Sequence, residues 1–539
     1  MKVFLNINAP VSDSEKKLIR YLFIINGLFV ETTPGNLPEC SLVIHYGDAN
    51  ISDGLWQKVP YHIVIPFEIP EITNYKSSKL VMLYDELHDG NVPVISSLVN
   101  QLRMTLTGEN ILDWPVVHLI DDSPAVLEWK IDIPGNCLFH LNRYEEMQYQ
   151  RFHPSLSLLS EFLMNPVVDL LMDAFMRSIK AFAIRHTIPL LIRRRWIKGK
   201  SVALLSHDVD LTRKWGPKSF LTKGIPSLLS GNFNKFKEAV SETFTLGNSY
   251  WTFPELLTLY KERNIRATFF FIARPWENLS YRYDIHRGIF RLLFKEMISE
   301  GHEVALHSSR YSFGKRDMVL QEKIRLEKAA GIEIGGIRQH FLNLKFPDAF
   351  TFFGNLQFDY DSSMGYNERM GFRSGIANPY RVNQDNGVNI FEIPFSVMDY
   401  HIQNLTQVDK IYSIISMIKR LKGVFSFLLH PSNLAEEPYR TVFITIVNEL
   451  EESDQFVFMT HQELVHYIKQ WENVQLTPID SGTLVGNSYK IDGAEEVLKN
   501  THFELIANIE IRSDHYKPNI LEKTDNQIIF ELRDYTFGY

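Results

Sequence analysis

Residues 201–210 read Ser201-Val202-Ala203-Leu204-Leu205-Ser206-His207-Asp208-Val209-Asp210, an apolar run that stops abruptly at ionisable side chains. Val202 to Leu205 has the continuous hydrophobicity of a strand buried on both faces of a parallel sheet. Side chains alternate along an extended chain, so Asp208 and Asp210, two apart, project on the same side at the strand's C-terminal end. Two convergent carboxylates there suit a metal or acid/base chemistry. The plainer alternative is a turn in which either aspartate caps the following backbone.

Outward from this stretch, residues 201–472 alternate strand-like and helix-like runs, the pattern of βα units around a parallel sheet or barrel. Strands are expected at 202–205, 267–272, 303–306, 336–338, 358–360, 390–393, 424–429 and 456–459. Thr252 with Glu255 and Thr460 with Glu463 have capping-box spacing, and Pro254 suits a first helical turn. Residues 216–248 form a long Ser/Gly/Lys-rich connection, expected as a surface excursion near the site that acts as a lid.

Before this region, residues 1–195 alternate strand-like and helix-like runs (3–5, 14–25, 41–45, 61–66, 80–84, 94–104 and 116–120), an α/β pattern in which Ser12 and Glu15 box the first helix. Phe-His-Leu-Asn-Arg-Tyr-Glu-Glu at 139–146 and Asn-Pro-Val-Val-Asp at 165–169 set charges beside apolar anchors, which suits salt-bridged docking onto the next region. Arg193, Arg194, Arg195, Lys198 and Lys200 read as a solvated linker. After residue 473, short runs at 488–491, 503–511 and 527–532 between Asp-Gly and Asp-Asn turns indicate a small β domain, whose aromatic residues, among them Tyr516 and the final 535–539, are read as its own core.

Composition bounds the functions. A chain of 539 residues suggests roughly three domains. Hydrophobic content of 45% and charged content of 22% mark a folded protein. The net charge of -8, without a basic cluster, argues against nucleic acid and against an anionic membrane surface as main partners. Two cysteines, Cys40 and Cys137, are too few for a disulfide framework or a thiolate zinc site, so any metal is held by His, Asp or Glu. The N-terminus lacks a signal-peptide pattern and no apolar run spans a bilayer, so a cytoplasmic protein without a membrane span is expected.

Further strand ends carry polar groups: His307-Ser308-Ser309, Arg338-Gln339-His340 and His430-Pro431. In a parallel barrel those ends converge on one face. Two aspartates and two histidines, with an arginine to orient a carboxylate, can hold a divalent metal with an open position and leave a base and an acid free.

The series Ser206-His207-Asp208-Val209-Asp210, Thr268-Phe269-Phe270-Phe271, Gly301-His302-Glu303-Val304-Ala305-Leu306-His307-Ser308, Ile337-Arg338 and Leu428-Leu429-His430 resembles the polysaccharide deacetylases of carbohydrate esterase family four. It is most similar to a bacterial branch with His-Asp-Val-Asp and an additional N-terminal α/β domain, which Arg143-Tyr144-Glu145-Glu146 and Pro166-Val167-Val168-Asp169 resemble. Tyr360-Asp361-Ser362-Ser363 and Glu392-Ile393-Pro394 look similar as well.

The resemblance implies an α/β fold with a distorted (β/α) barrel of the polysaccharide deacetylase type at 201–472, preceded by an α/β domain at 1–195 and followed by a small β-rich domain at 473–539. It implies a hydrolase that removes N-acetyl groups from a sugar or polysaccharide by metal-activated water, zinc being the favoured ion and carbohydrate the partner. By position Asp208 is the catalytic base, Arg338 orients it, His430 is the acid and His307 is a metal ligand. Two places depart. The family pattern has adjacent aspartates, Thr-Phe-Asp-Asp-Gly, whereas Val209 intervenes here and the metal aspartate is Asp210. The second metal histidine is expected where Tyr311 stands, and a tyrosine hydroxyl is a poor zinc ligand at neutral pH. Either His340 or His302 substitutes, or the metal is held weakly or not at all. Tyr311 therefore supports an alternative from another class, a catalytically silent glycan-binding or scaffold protein. Hydrolysis of a different C–N bond is a third reading.

Overall fold

In a computed structural model, the described residues are 3–32, 42–48, 51, 56, 59–68, 79–85, 90–96, 103–106, 112, 114, 116–147, 157, 160–216, 219–244, 249–274, 283–346, 348–383, 389–402, 407–479, 488–506, 516–524 and 527–534. Cys40 and the aromatic residues at 535–539 lie outside them.

The expected strand 202–205 extends in both directions to Ser201–Val209, all nine residues buried. It is the hub of a ten-stranded sheet. Its C-terminal half pairs in parallel with Thr268–Phe271, and its N-terminal half with Phe456–Met459 on one side and Val424–Leu428 on the other. From Thr268–Phe271 the sheet continues in parallel through Glu303–Ser308, Gly336–Gln339, Tyr360–Asp361 and Asn389–Glu392, with Tyr380–Asn383 added antiparallel at the edge. At the opposite edge Val397–Met398 pairs with Val424–Leu428. Among the described residues no pairing joins the two edges, so the sheet curls as a half-barrel. The strands at Tyr380–Asn383 and Val397–Met398 have no counterpart in the sequence expectation.

Ahead of it, a six-stranded sheet runs Val30–Glu31, Val3–Ile7, Leu42–Tyr46, Tyr61–Ile65, Ala125–Trp129, Val117–Ile120, parallel except for its last pair. Ser12 and Glu15 form the expected capping box on helix Asp13–Ile25. The long run 94–104 divides into strands Gly90–Ser96 and Arg103–Leu106, both paired with Lys79–Asp85 in a separate sheet. One continuous apolar core joins the first sheet to the half-barrel.

Residues 139–146 and 165–169 dock as their charge pattern indicates. Glu146, buried, accepts from Arg143 Nη2 at 2.7 Å and from Arg373 Nε at 2.8 Å. Asp169 Oδ2 accepts from Ala377 N at 2.6 Å, and its other oxygen from Asn378. The backbones also meet. Phe372 N donates to Leu163 O at 2.7 Å, and Gly371 (φ +139°) approaches so closely that a Cβ there would lie 2.3 Å from that carbonyl.

Two local expectations are corrected. Arg193 is no solvated linker residue: it is buried, its Nη1 donates to Trp471 O (2.6 Å) and Val474 O (3.1 Å), and its guanidinium stacks on Phe29 and Trp471. The reason is long-range pairing. Leu190–Arg193 is an antiparallel partner of His502–Ile506, so residues on both sides of the expected boundaries at 195 and 473 share a four-stranded sheet. Thr252 begins helix Phe253–Glu262 without a side-chain cap: its backbone, at φ -90° and ψ 3°, lacks the extended form of a capping residue, and its hydroxyl donates to Pro431 O at 2.7 Å. Within the expected surface excursion, residues 219–244 take a helical form that the sequence reading did not specify: a π-helical turn Phe220–Gly224 followed by Ile225–Leu229 and Phe233–Phe244. No described helix is long and apolar enough to cross a membrane.

Glu146→Ala leaves the buried Arg143 and Arg373 guanidiniums without their shared carboxylate. A loss of about 3–5 kcal/mol is expected from breaking such a buried pair, measured by denaturant unfolding. A change below about 1 kcal/mol would show that docking does not depend on this ion pair.

Candidate active site

Strand alternation organises the site. Ser206 and Asp208 face one side of the hub strand and meet the same group: Arg338 Nη1 donates to Ser206 Oγ at 3.0 Å and to Asp208 Oδ1 at 2.8 Å. His207, between them, faces the other way into the apolar layer. Its Nδ1 lies 3.1 Å from Leu429 O and its Nε2 2.6 Å from the Tyr260 hydroxyl, and burial pushes its pKa down to about 3. It stays neutral and structural.

Arg338 has no exposed surface, and its other donors are satisfied by one residue: Nε reaches Ser362 O at 2.8 Å and Nη2 reaches Ser362 Oγ at 2.9 Å. The guanidinium lies 4.1 Å from the centre of the Phe270 ring. Burial alone would raise the Asp208 carboxyl, but the Arg338 charge, with His307 and His430, holds it below the usual carboxylate range.

Asp210, His307 and His340 come together, each offering one ligand atom within 4.8 Å of the others. Asp210 Oδ1 is 3.3 Å from His307 Nε2 and 3.3 Å from His340 Nδ1, and His340 Nδ1 is 3.0 Å from His307 Nε2. His307 Nδ1 lies 3.0 Å from Arg338 O. A carbonyl only accepts, so Nδ1 carries the proton there and the neutral ring turns the Nε2 lone pair toward Asp210 and His340. Asp210 Oδ1 is buried with no hydrogen bond in acceptable geometry, although two ring nitrogens are near. Burial raises the Asp210 carboxyl, and its two histidine neighbours outweigh that and hold it well below the usual range. Burial lowers His307, and Asp208 and Asp210 outweigh it and raise it. Two ring nitrogens converging with a buried carboxylate oxygen that has no hydrogen-bond partner fit a divalent cation; the donor set, two imidazoles and one carboxylate, suits zinc and leaves room for a further ligand.

The ambiguity between His340 and His302 is resolved by position along the sheet. His340 follows strand Gly336–Gln339 and reaches Asp210 and His307 at the strands' C-terminal end, in a turn where Phe341 and Leu342 adopt φ of +59° and +53°. His302 precedes strand Glu303–Ser308 and lies at the other end, its Nδ1 accepting from Ala267 N at 3.1 Å beside Tyr260 and Phe269. Burial lowers it to about 4. Tyr311 sits in a loop fixed elsewhere: Glu322 accepts from Ser309 N at 3.0 Å and from the Ser309 hydroxyl, pinning the loop to helix Arg316–Ala330. Arg274 and Arg310 then stack on the Tyr311 ring at 4.5 and 4.7 Å.

His430 stands across the site, its Nε2 3.8 Å from Asp210 Oδ2. A residue the sequence reading missed orients it. Asp399 is fully buried; its Oδ1 is 2.9 Å from His430 Nδ1, and its Oδ2 accepts from His430 N at 2.6 Å and Asn433 Nδ2 at 3.0 Å. Burial opposes protonation of His430, but Asp399, with Asp210 and Asp208, raises its pKa to about 9. The signal was present but short: Val397-Met398-Asp399 is another apolar run ending in a carboxylate, in a strand of only two residues.

With this geometry established, similarity to known proteins can be placed on it. Residues 234–330 match the family model of polysaccharide deacetylases, a stretch that includes His307 and ends before Arg338. No curated protein matches the chain. Similar solved structures include a putative polysaccharide deacetylase from Mycobacterium smegmatis, 17% identical over 51% of this chain and 92% of that one, with TM-score 0.36. A probable polysaccharide deacetylase from Pseudomonas aeruginosa PAO1 is 12% identical over 49% and 89%, with TM-score 0.33. A CE4 family pseudoenzyme from Bacillus anthracis is 13% identical over 50% and 66%, with TM-score 0.27.

The cluster makes a direct prediction about metal affinity. Asp210→Asn and His340→Ala should each weaken zinc binding by more than the roughly 10- to 100-fold typical of an outer-shell change, whereas His302→Gln and Tyr311→Phe should leave it unchanged. Metal content by plasma mass spectrometry after equilibrium dialysis checks this, and an intact affinity in His340→Ala removes that residue from the ligand set.

Proposed function

We propose that this protein is a metal-dependent hydrolase that removes N-acetyl groups from a sugar or polysaccharide. The observation that carries the reading is the meeting of Asp210, His307 and His340 between two differently tuned groups, Asp208 on Arg338 and His430 on Asp399. The deacetylase match over residues 234–330 supports the substrate class. A divalent ion held by Asp210, His307 and His340 would supply the positive charge that polarises an amide carbonyl and acidifies a water.

The remaining chemistry belongs to the chain's own side chains. Arg338 occupies Asp208 Oδ1 and leaves Oδ2, 3.7 Å from His307 Nε2, directed at the cluster. Asp208 is the base that accepts the proton of the attacking water. Its low affinity for protons is set by Arg338, which fixes its orientation at the same time. His430 is the acid: Nδ1–H donates to Asp399, so Nε2–H faces the site and is delivered to the leaving nitrogen. Asp210 is the most open member of the set, with 22% of its side chain exposed, and marks the side from which substrate enters.

Acetate release from N-acetylated sugars, assayed on protein of known metal content, tests the reading. Asp208→Asn should keep its metal and lose about 10² to 10⁴-fold in rate. Asp399→Asn, a change in a positioning residue, should also keep its metal and fall within that range, because the neutral amide has one acceptor oxygen for the donors that Asp399 now meets with two and lacks the charge that favours the protonated ring. Loss of metal in Asp208→Asn with retention in Asp210→Asn would exchange the two aspartates' roles. Wild-type protein that binds no metal and releases no acetate would instead favour the silent glycan-binding scaffold, the reading to which Tyr311 gives support.

A further inference from the structure

The helical hairpin at 219–244 is rooted at the rim of the candidate site. It leaves the hub strand just beyond Asp210, and Lys214 ties its second helix to the segment after His430, lying 2.8 Å from Glu238 Oε1 and 3.5 Å from Glu436 Oε1. Its inner side is packed. Gly224, Ser227 and Ala239 are buried, the Phe220 and Phe236 rings are 6.1 Å apart, and a Cβ at Gly224 would lie 3.1 Å from that of Ala239.

Its outer side is unusual for a water-facing surface. Leu229 is 83% exposed, Leu221 62% and Phe233 61%, with Ile225, Leu228 and Val240 exposed beside them. Concentration of large apolar side chains on one projecting element marks a surface that is covered by something. Its fully exposed charges are of one sign, since the hairpin's two carboxylates, Glu238 and Glu242, are half-buried and Glu238 pairs with Lys214. Residues 219–244 contain Lys223, Lys235 and Lys237 against Glu238 and Glu242, on a chain whose net charge is -8. All three lysines are exposed.

We propose that this hairpin docks the protein onto an anionic lipid surface, with its leucines and Phe233 inserted at the headgroup boundary and its lysines paired with lipid phosphates. A protein partner is the poorer match, because lysine is depleted at protein interfaces, whereas apolar side chains flanked by lysines on a short helical element are what an anionic lipid interface selects. Whole-chain charge argues against such a surface only because it averages these exposed lysines with the carboxylates of the rest of the chain. The inference stands independently of the proposed hydrolysis, since no residue of the hairpin belongs to the candidate site.

Flotation of the full chain with phosphatidylcholine vesicles, and with vesicles also containing phosphatidylglycerol, tests it. The wild-type chain is expected to float with the phosphatidylglycerol vesicles and to lose binding as salt is raised. Leu229→Ser with Phe233→Ser should weaken partition by at least about tenfold per side chain, and Lys223→Glu with Lys235→Glu by about fivefold or more per lysine. Circular dichroism identical to wild type confirms that these exposed sites leave the fold intact. Wild type that stays unbound with both vesicle types overturns the proposal, as does a double variant that floats like wild type. Self-association that the Leu229→Ser, Phe233→Ser variant abolishes, without vesicle binding, also overturns it and assigns the patch to a second copy of the chain.

Discussion

A charge with no access to water stands at the centre of this structure. The Arg338 guanidinium is buried completely, and transferring such a group out of water costs several kcal/mol unless every donor is met. Here the donors are met by a carboxylate, two hydroxyls and a carbonyl drawn from two other strand ends, Ser206 and Asp208 on one side and Ser362 on the other. Ser362 is held in turn, its hydroxyl donating to Ile393 O at 2.7 Å. The Arg338 backbone carbonyl sets the tautomer of His307. One buried arginine thus orients the base and one member of the ligand cluster, so the two cannot move independently.

The parts of the site readable in the sequence were those where a continuous apolar run ends in a polar residue. That signal needs only side-chain alternation and parallel strands, and it identified Asp208, Asp210, His307, Arg338 and His430 as neighbours, which the geometry brings together. It did not separate His340 from His302, because chemical type alone is the same for both. Their positions after and before a strand decide it, since parallel strands present only their C-terminal ends to the site. Asp399 went unseen because two residues, Val397 and Met398, are too few to show a period. Tyr311 was read as a poor ligand from its residue type, whereas the contact that fixes its loop, the grip of Glu322 on Ser309, joins residues 13 apart and has no local pattern.

The fold shows the same division. Helix Asp13–Ile25 and the hub strand follow from local rules of capping and burial. Arg193 does not. A run of five basic residues is ordinarily solvated, and only the pairing of Leu190–Arg193 with a strand far along the chain places this one between two aromatic rings. The docking charges are intermediate: Glu146 between Arg143 and Arg373 was recognisable as an ion-pair former, while its partner Arg373 was not identifiable from sequence spacing.

The antiparallel pairing of Leu190–Arg193 with His502–Ile506 also imposes an order in time. A ribosome adding roughly 5–20 residues per second needs about 15 to 60 s to make the intervening chain. Throughout that interval the earlier strand has no partner for the edge it will later bury, and unpaired edges recruit other strands. The nascent chain therefore carries an aggregation-prone edge until His502–Ile506 emerges, and termination of synthesis before that strand leaves the edge open permanently.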